Sequence, residues 1–162
     1  MDLTTKFKEA RDAVAIMSVS PKKHLRLNAM RCIDKNAPKA FIGQLLRNGL
    51  VDSSRDVRSL AGHKIRSLRQ IELIPDLELA MESEADPTTK SDLKHDLRIL
   101  RDGFSFRRLP NGELYLCIAC QDGVHGNALS LRNIPRMYKQ FRARIKADVT
   151  AEQSQKPGGE AA

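Results

Sequence analysis

Between Asp52 and Leu68 the apolar side chains Val57, Leu60, Ala61, Ile65 and Leu68 fall on one side of a helix with 3.6 residues per turn. The pattern returns one 32-residue step earlier, where Leu25, Ala29 and Ile33 take the places of Val57, Ala61 and Ile65. It returns again one step later, with Leu93, Leu97 and Leu100 in the places of Ala61, Ile65 and Leu68. Start signals stand ahead of each copy: Ser20-Pro21, Asp52-Ser53-Ser54 and Asp86-Pro87. Polar side chains there can accept from orphan backbone N–H groups, and proline in a first helical turn sacrifices no hydrogen bond.

A second amphipathic segment precedes each of these helices. Phe7, Ala10, Val14 and Met17 mark the first, Phe41, Ile42, Leu45 and Leu46 the second, and Ile74, Leu77 and Met81 the third, with Asn48-Gly49 read as a loop between pair members. A helix with a single apolar stripe cannot bury it within one pair, so pairs must stack on their neighbours. The expected fold is therefore mainly α: a short right-handed α-α superhelix of three imperfect helix pairs over residues 1–103.

After Gly103 the period shortens. Phe104 to Leu109, Pro110-Asn111-Gly112, then Glu113 to Cys120 reads as a β-hairpin around an Asn-Gly turn. A third strand is expected at Ala128 to Leu131, after the glycine-bearing loop from Asp122 to Gly126. Ile134, Met137, Tyr138, Phe141 and Ile145 then form an apolar helical stripe. Hairpin and helix together, residues 104–148, are expected to cap the last repeat, and residues 149–162 lack apolar periodicity and are expected to be a disordered tail.

Asp52, Val57, Arg58 and Ala61 resemble the Asp-x4-Val-Arg-x2-Ala signature of HEAT repeats, and Leu25-Arg26-x2-Ala29 resembles it one repeat earlier. The third copy departs from it, with Thr89-Lys90-x2-Leu93, and Lys64 falls on the apolar side of its helix, while Asp92 and Asp96 border the corresponding side of theirs. The resemblance covers about residues 1–103 and implies that Asp52 and Arg58 join a hydrogen-bond ladder between repeats, a structural role.

The chain has 162 residues, enough for one domain with its own core. No segment approaches the roughly 18 apolar residues of a membrane span, and residues 1–6 lack the apolar stretch of a signal peptide. With three cysteines, an odd number, the reading is a cytoplasmic protein with reduced thiols. The formal net charge of +8 favours an acidic partner.

Candidate chemistry is sparse. Cys117-x2-Cys120 with His125 offers three potential zinc ligands, but residues three apart on a continuous strand point to opposite faces, so buried structural cysteines are expected. His24, His63 and His95 lie in predicted helices without a place in the 32-residue register common to all three, and read as solvated surface residues. The acidic run Glu72, Asp76, Glu78, Glu82, Glu84 and Asp86 spans a helix without converging and reads as a solvated outer face. Gly-x-Ser-x-Gly, a Walker loop and Gly-x-Gly-x-x-Gly are all missing from the sequence, so no enzyme and no cofactor is expected.

The basic residues are better organised. Arg55, Arg66 and Arg69 lie opposite the apolar stripe of the second copy, Lys94, Arg98 and Arg101 take the equivalent side in the third, and Lys23 in the first. On the C-terminal helix Arg132, Arg136 and Lys139 repeat the theme. In a HEAT-like stack the second helices line the concave surface, which implies an inner basic stripe. The expectation is a non-catalytic module that binds an acidic protein segment there. The alternative is a phosphate-binding nucleic-acid protein, which fits the charge but finds few aromatic side chains for base stacking. A third reading is an enzyme acting on DNA bases, since some alkylpurine DNA glycosylases are built of HEAT-like repeats. The chain is short for that and has no Trp.

Overall fold

A computed structural model of the chain describes residues 3–108, 114–120 and 123–128, together with 143, 144, 146, 147, 150 and 151. The six longer helices come in three pairs: α1 (Leu3–Ser18) with α2 (Lys23–Arg31), α3 (Lys39–Leu50) with α4 (Arg55–Ser67), and α5 (Ile74–Ser83) with α6 (Pro87–Asp102). The second helices begin at residues 23, 55 and 87, keeping the 32-residue period. Packing follows two layers, with α2 against α4 and α4 against α6 in one, and α1 against α3 and α3 against α5 in the other. The mainly helical class read from the apolar pattern holds.

The repeated apolar positions form the core. Ala29, Val57, Ala61, Ile65 and Leu93 are nearly inaccessible, joined by Ile42, Leu45, Leu46, Leu73 and Leu77 from the first-helix layer and the turn before α5. The stripe of α1 departs from expectation: Phe7 is 69% exposed and Ala10 is exposed, because α1 has a neighbouring pair on one side only. Asn48 and Gly49 belong to α3 instead of a loop. A Cβ on Gly49 would lie 2.8 Å from the Ala61 Cβ and 2.9 Å from the Met30 Sδ, so the glycine serves close helix packing.

Two arginines one repeat apart stitch the pairs together in the same way. Arg26 donates from Nε and Nη2 to the two carboxylate oxygens of Asp52 (2.7 and 3.0 Å), and from Nη1 to the carbonyls of Ser20 and Pro21. Arg58 donates to both oxygens of Glu84 (2.6 and 2.8 Å), and from Nη1 to the carbonyls of Asp52 and Ser53. Ser20, Asp52 and Glu84 occupy one register position, and each accepts from the backbone N–H two residues on. The ladder implied for Asp52 and Arg58 is present, and Glu84 is its next rung. Only Asp86, among the three expected start signals, caps its helix, accepting from the Thr89 N–H at 2.8 Å. Lys64, out of place on an apolar side, donates to the Arg31 and Ile33 carbonyls (3.2 and 3.0 Å) and ties α4 to the C-terminal end of α2.

Of the acidic run only Glu72 and Glu82 lie exposed as expected. Glu84 is buried by Arg58, Asp76 pairs with Arg47, Glu78 with Arg101, and Asp86 caps α6. These carboxylates are spent on helix-to-helix contacts.

Gly103, at φ 78°, ends α6 in the left-handed region, and its N–H donates to the Ile99 carbonyl. A three-stranded antiparallel sheet follows in the order β1 (Phe104–Arg108), β2 (Leu114–Cys120), β3 (Gly123–Ala128). It packs on α6 through β1 and β2. The third strand therefore begins earlier than expected: the glycines of the 122–126 segment sit within the strand, and Gly126 lies opposite Cys117. Arg144, from the expected C-terminal helix, bonds Asp102 at 2.6 Å at the same end of the stack, and its guanidinium carbon lies 5.8 Å from the centre of the Phe104 ring.

Candidate binding cleft

The exposed sides of α2, α4 and α6 form one face, and β2 closes it at the α6 end. The result is a cleft of about 750 Å³, a volume typical of ligand sites. Leu27 and Arg31 of α2, Asp56, Ser59, Leu60, His63 and Arg66 of α4, Asp92, His95 and Asp96 of α6, and Tyr115 and Cys117 of β2 line it. Register explains the lining. Arg31, His63 and His95 occupy one position of the repeat, so successive helices present them in a row.

Arg66 is the central polar anchor. Its Nη1 pairs with the Asp96 carboxylate at 2.9 Å, the two side chains being 12% and 4% exposed. Its Nη2 donates to His63 Nδ1 at 2.6 Å, which requires Nδ1 to be the acceptor nitrogen of a neutral imidazole. Ser59 Oγ donates to Asp92 at 3.0 Å, so the one hydroxyl of α4 in the cleft is directed at a carboxylate and not at an imidazole. Asp56 is held below the ordinary carboxylate range by a hydrogen bond from Lys23, with the charges of Lys23 and Arg55 adding to it.

The basic stripe expected on this face is largely tied down. Lys23 pairs with Asp56, Arg55 with Asp86 at 3.2 Å, Arg66 with Asp96 and Arg101 with Glu78. Arg66 corrects the expectation most: it was placed opposite the apolar stripe and away from burial, yet α6 packs over it and supplies Asp96. Arg69 is exposed just past α4, in the left-handed region at φ 50°. Lys94 is exposed on α6, and Arg98 is half-buried. Arg132, Arg136 and Lys139 lie outside the described residues.

His24 and His63 are exposed as expected, but His95 is only 5% exposed, covered where β2 meets α6. Cys117 is buried on β2, while the side chains of Cys120 and His125 lie outside those described. Among the described residues no group of three His, Cys, Asp or Glu side chains is arranged to hold a metal ion, and no helix is long and apolar enough to cross a membrane.

Sequence reasoning centred on cations missed Arg31, Ser59, His63, Asp92, His95 and Asp96. The available signal was the 32-residue relation of His63 to His95 and of both to Arg31. Comparison with family models, with curated proteins and with solved structures finds no match.

Proposed function

We propose that this chain is a non-catalytic interaction module that holds an extended acidic protein segment in the cleft across α2, α4 and α6. The observation that carries the reading is the cleft itself, in which three helices in register and a strand wall combine apolar floor (Leu27, Leu60) with hydrogen-bonding groups. Such a lining suits a peptide, whose side chains and backbone need both kinds of contact. The net charge of +8 and the exposed cations Arg31 and Lys94 on these helices favour an acidic segment. The resemblance to HEAT repeats, a family widely used for protein contacts, adds to this.

A phosphate backbone is the weaker fit, because the chain has no Trp and the cleft lining offers one tyrosine, Tyr115, on which a base could stack. The test is fluorescence anisotropy with a labelled Glu-rich peptide, its Lys-rich counterpart, and duplex and single-stranded oligonucleotides, each over a range of salt. The acidic peptide should bind at physiological salt and compete with any oligonucleotide binding. If oligonucleotides of any sequence bind more tightly, with log affinity falling linearly in log salt, the nucleic-acid reading replaces this one.

A further inference from the structure

Within the cleft the charges are unevenly committed. Asp56 is engaged by Lys23 and Arg55, and Asp96 by Arg66, which also donates to His63. Asp92 accepts from Ser59. Of the two arginines in the lining, Arg66 therefore serves the internal packing. Arg31 differs: it is exposed, its guanidinium donates only to Asn28 of its own helix at 3.3 Å, and no ion pair engages it among the described residues. Its backbone is fixed all the same, since its carbonyl accepts from Lys64. A guanidinium on a fixed backbone position, facing a cleft, is a ready anion donor.

Half-buried Leu27 and Leu60 join Arg31 in the lining, and the carboxylates Asp92 and Asp96 belong to α6. Arg31 thus gives the cleft a cationic end on α2, whereas on α6 the Asp96 carboxylate is already met by Arg66 and Asp92 by Ser59. Neighbouring helices pack about 8–10 Å apart, so the row Arg31, His63, His95 spans on the order of 20 Å, about six residues of extended chain.

We infer that the α2 end of the cleft is the specificity subsite for the bound segment, with Arg31 taking an Asp or Glu carboxylate and Leu27 and Leu60 taking the aliphatic side chain beside it. This rests on the peptide-binding reading of the same cleft.

The probe is a labelled, end-blocked peptide of about a dozen residues carrying Leu-Glu in a Gly/Ser context, compared with its Leu-Gln twin. Wild-type protein should prefer the Glu peptide, and Arg31→Glu should weaken its binding about tenfold or more while leaving the Gln peptide nearly unaffected. Arg31→Gln should abolish the preference without introducing repulsion, and Lys39→Glu, at the start of α3 and outside the cleft lining, should alter binding less than about twofold. Thermal melting of each variant checks that the fold is retained. If the Glu peptide binds wild type and Arg31→Glu and Arg31→Gln bind it equally well, the subsite assignment is wrong while the cleft reading stands. If neither peptide, nor the Glu-rich one, binds and oligonucleotides do, the cleft reading itself fails and the subsite with it.

Discussion

Replacing Glu84 with Gln tests whether the arginine ladder holds the helix pairs together or merely decorates their edge. The Glu84 side chain is 2% exposed and that of Arg58 20%, and two charge-assisted bonds of 2.6 and 2.8 Å join them. Removing one member of a buried ion pair costs about 3–5 kcal/mol, because the survivor keeps its desolvation cost without its partner. Two features reduce that figure. Water reaches the partly exposed Arg58, and its Nη1 keeps the carbonyls of Asp52 and Ser53. A loss of about 2–3 kcal/mol is expected. With a urea slope of about 2 kcal/mol per M, the unfolding midpoint should fall by about 1–1.5 M. Asp76→Asn, at the more exposed pair with Arg47, is the comparison and should cost under about 1 kcal/mol. A double-mutant cycle of Glu84→Gln with Arg58→Met should give a coupling of at least about 1.5 kcal/mol. Additive effects in that cycle, or a Glu84→Gln midpoint no lower than that of Asp76→Asn, would refute the reasoning.

Acid should weaken the same contacts. Glu84 is held below the usual carboxylate range chiefly by the hydrogen bond from Arg58, and Asp86 by the Thr89 N–H. At Asp52 burial opposes ionisation, but the bonds from Arg26 and the Ser54 N–H outweigh it and the net direction is again downward. Groups depressed in the folded state bind fewer protons there than in the unfolded chain, so their contribution is complete above the unfolded values near pH 4 and is lost as pH falls through the lowered folded ones. Urea midpoints should be steady from about pH 7 to 5 and drop below about pH 4, with a shallower drop for Glu84→Gln; equal steepness in the two proteins counts against the ladder as the source. Charge reversal also separates structural from surface cations. Arg66→Glu sets a carboxylate against buried Asp96 and should cost more than about 2 kcal/mol by thermal or urea melting, whereas Arg69→Glu, on an exposed side chain, should stay within about 0.5 kcal/mol. A stable Arg66→Glu would return that residue to the surface stripe.

The helical layer was legible because its signal is local and repeated. Val57, Ala61 and Ile65 follow the 3.6 period, and a 32-residue translation carries Ala61 onto Ala29 and Leu93 and Ile65 onto Ile33 and Leu97, all of which are buried. The cleft was legible only in part. A helical wheel places Arg66 opposite the apolar stripe, but it treats the helix as having one neighbour. In a stack, α4 touches α2, α3 and α6, so a second flank is covered and Arg66 with it. The same blindness assigned Glu84 to a solvated face, since nothing local in the sequence pairs it with Arg58, 26 residues away. The third strand was misplaced because Gly123 and Gly126 carry the signature of a loop, while pairing with β2 supplies the order that their own propensity does not.

Register, more than charge, separates the cations of this fold by role. Arg26 and Arg58 share one repeat position and use it to bridge to the next pair through Asp52 and Glu84, and Lys90 occupies that position in the last pair, donating to the Glu82 carbonyl instead of a carboxylate. The ladder therefore changes character where the sheet takes over from a further helix pair, with β1 and β2 packed on α6. The row Arg31, His63, His95 lies five residues further along each second helix and points into the cleft. Its exposure declines along the stack, from exposed Arg31 and His63 to His95 under the β2 wall. A ligand approaching from solvent meets the α2 end of the row first. On the reading proposed above, long-range attraction by the net positive chain would bring an acidic segment to this face, and the exposed guanidinium of Arg31 would be the charge that fixes which way round it lies.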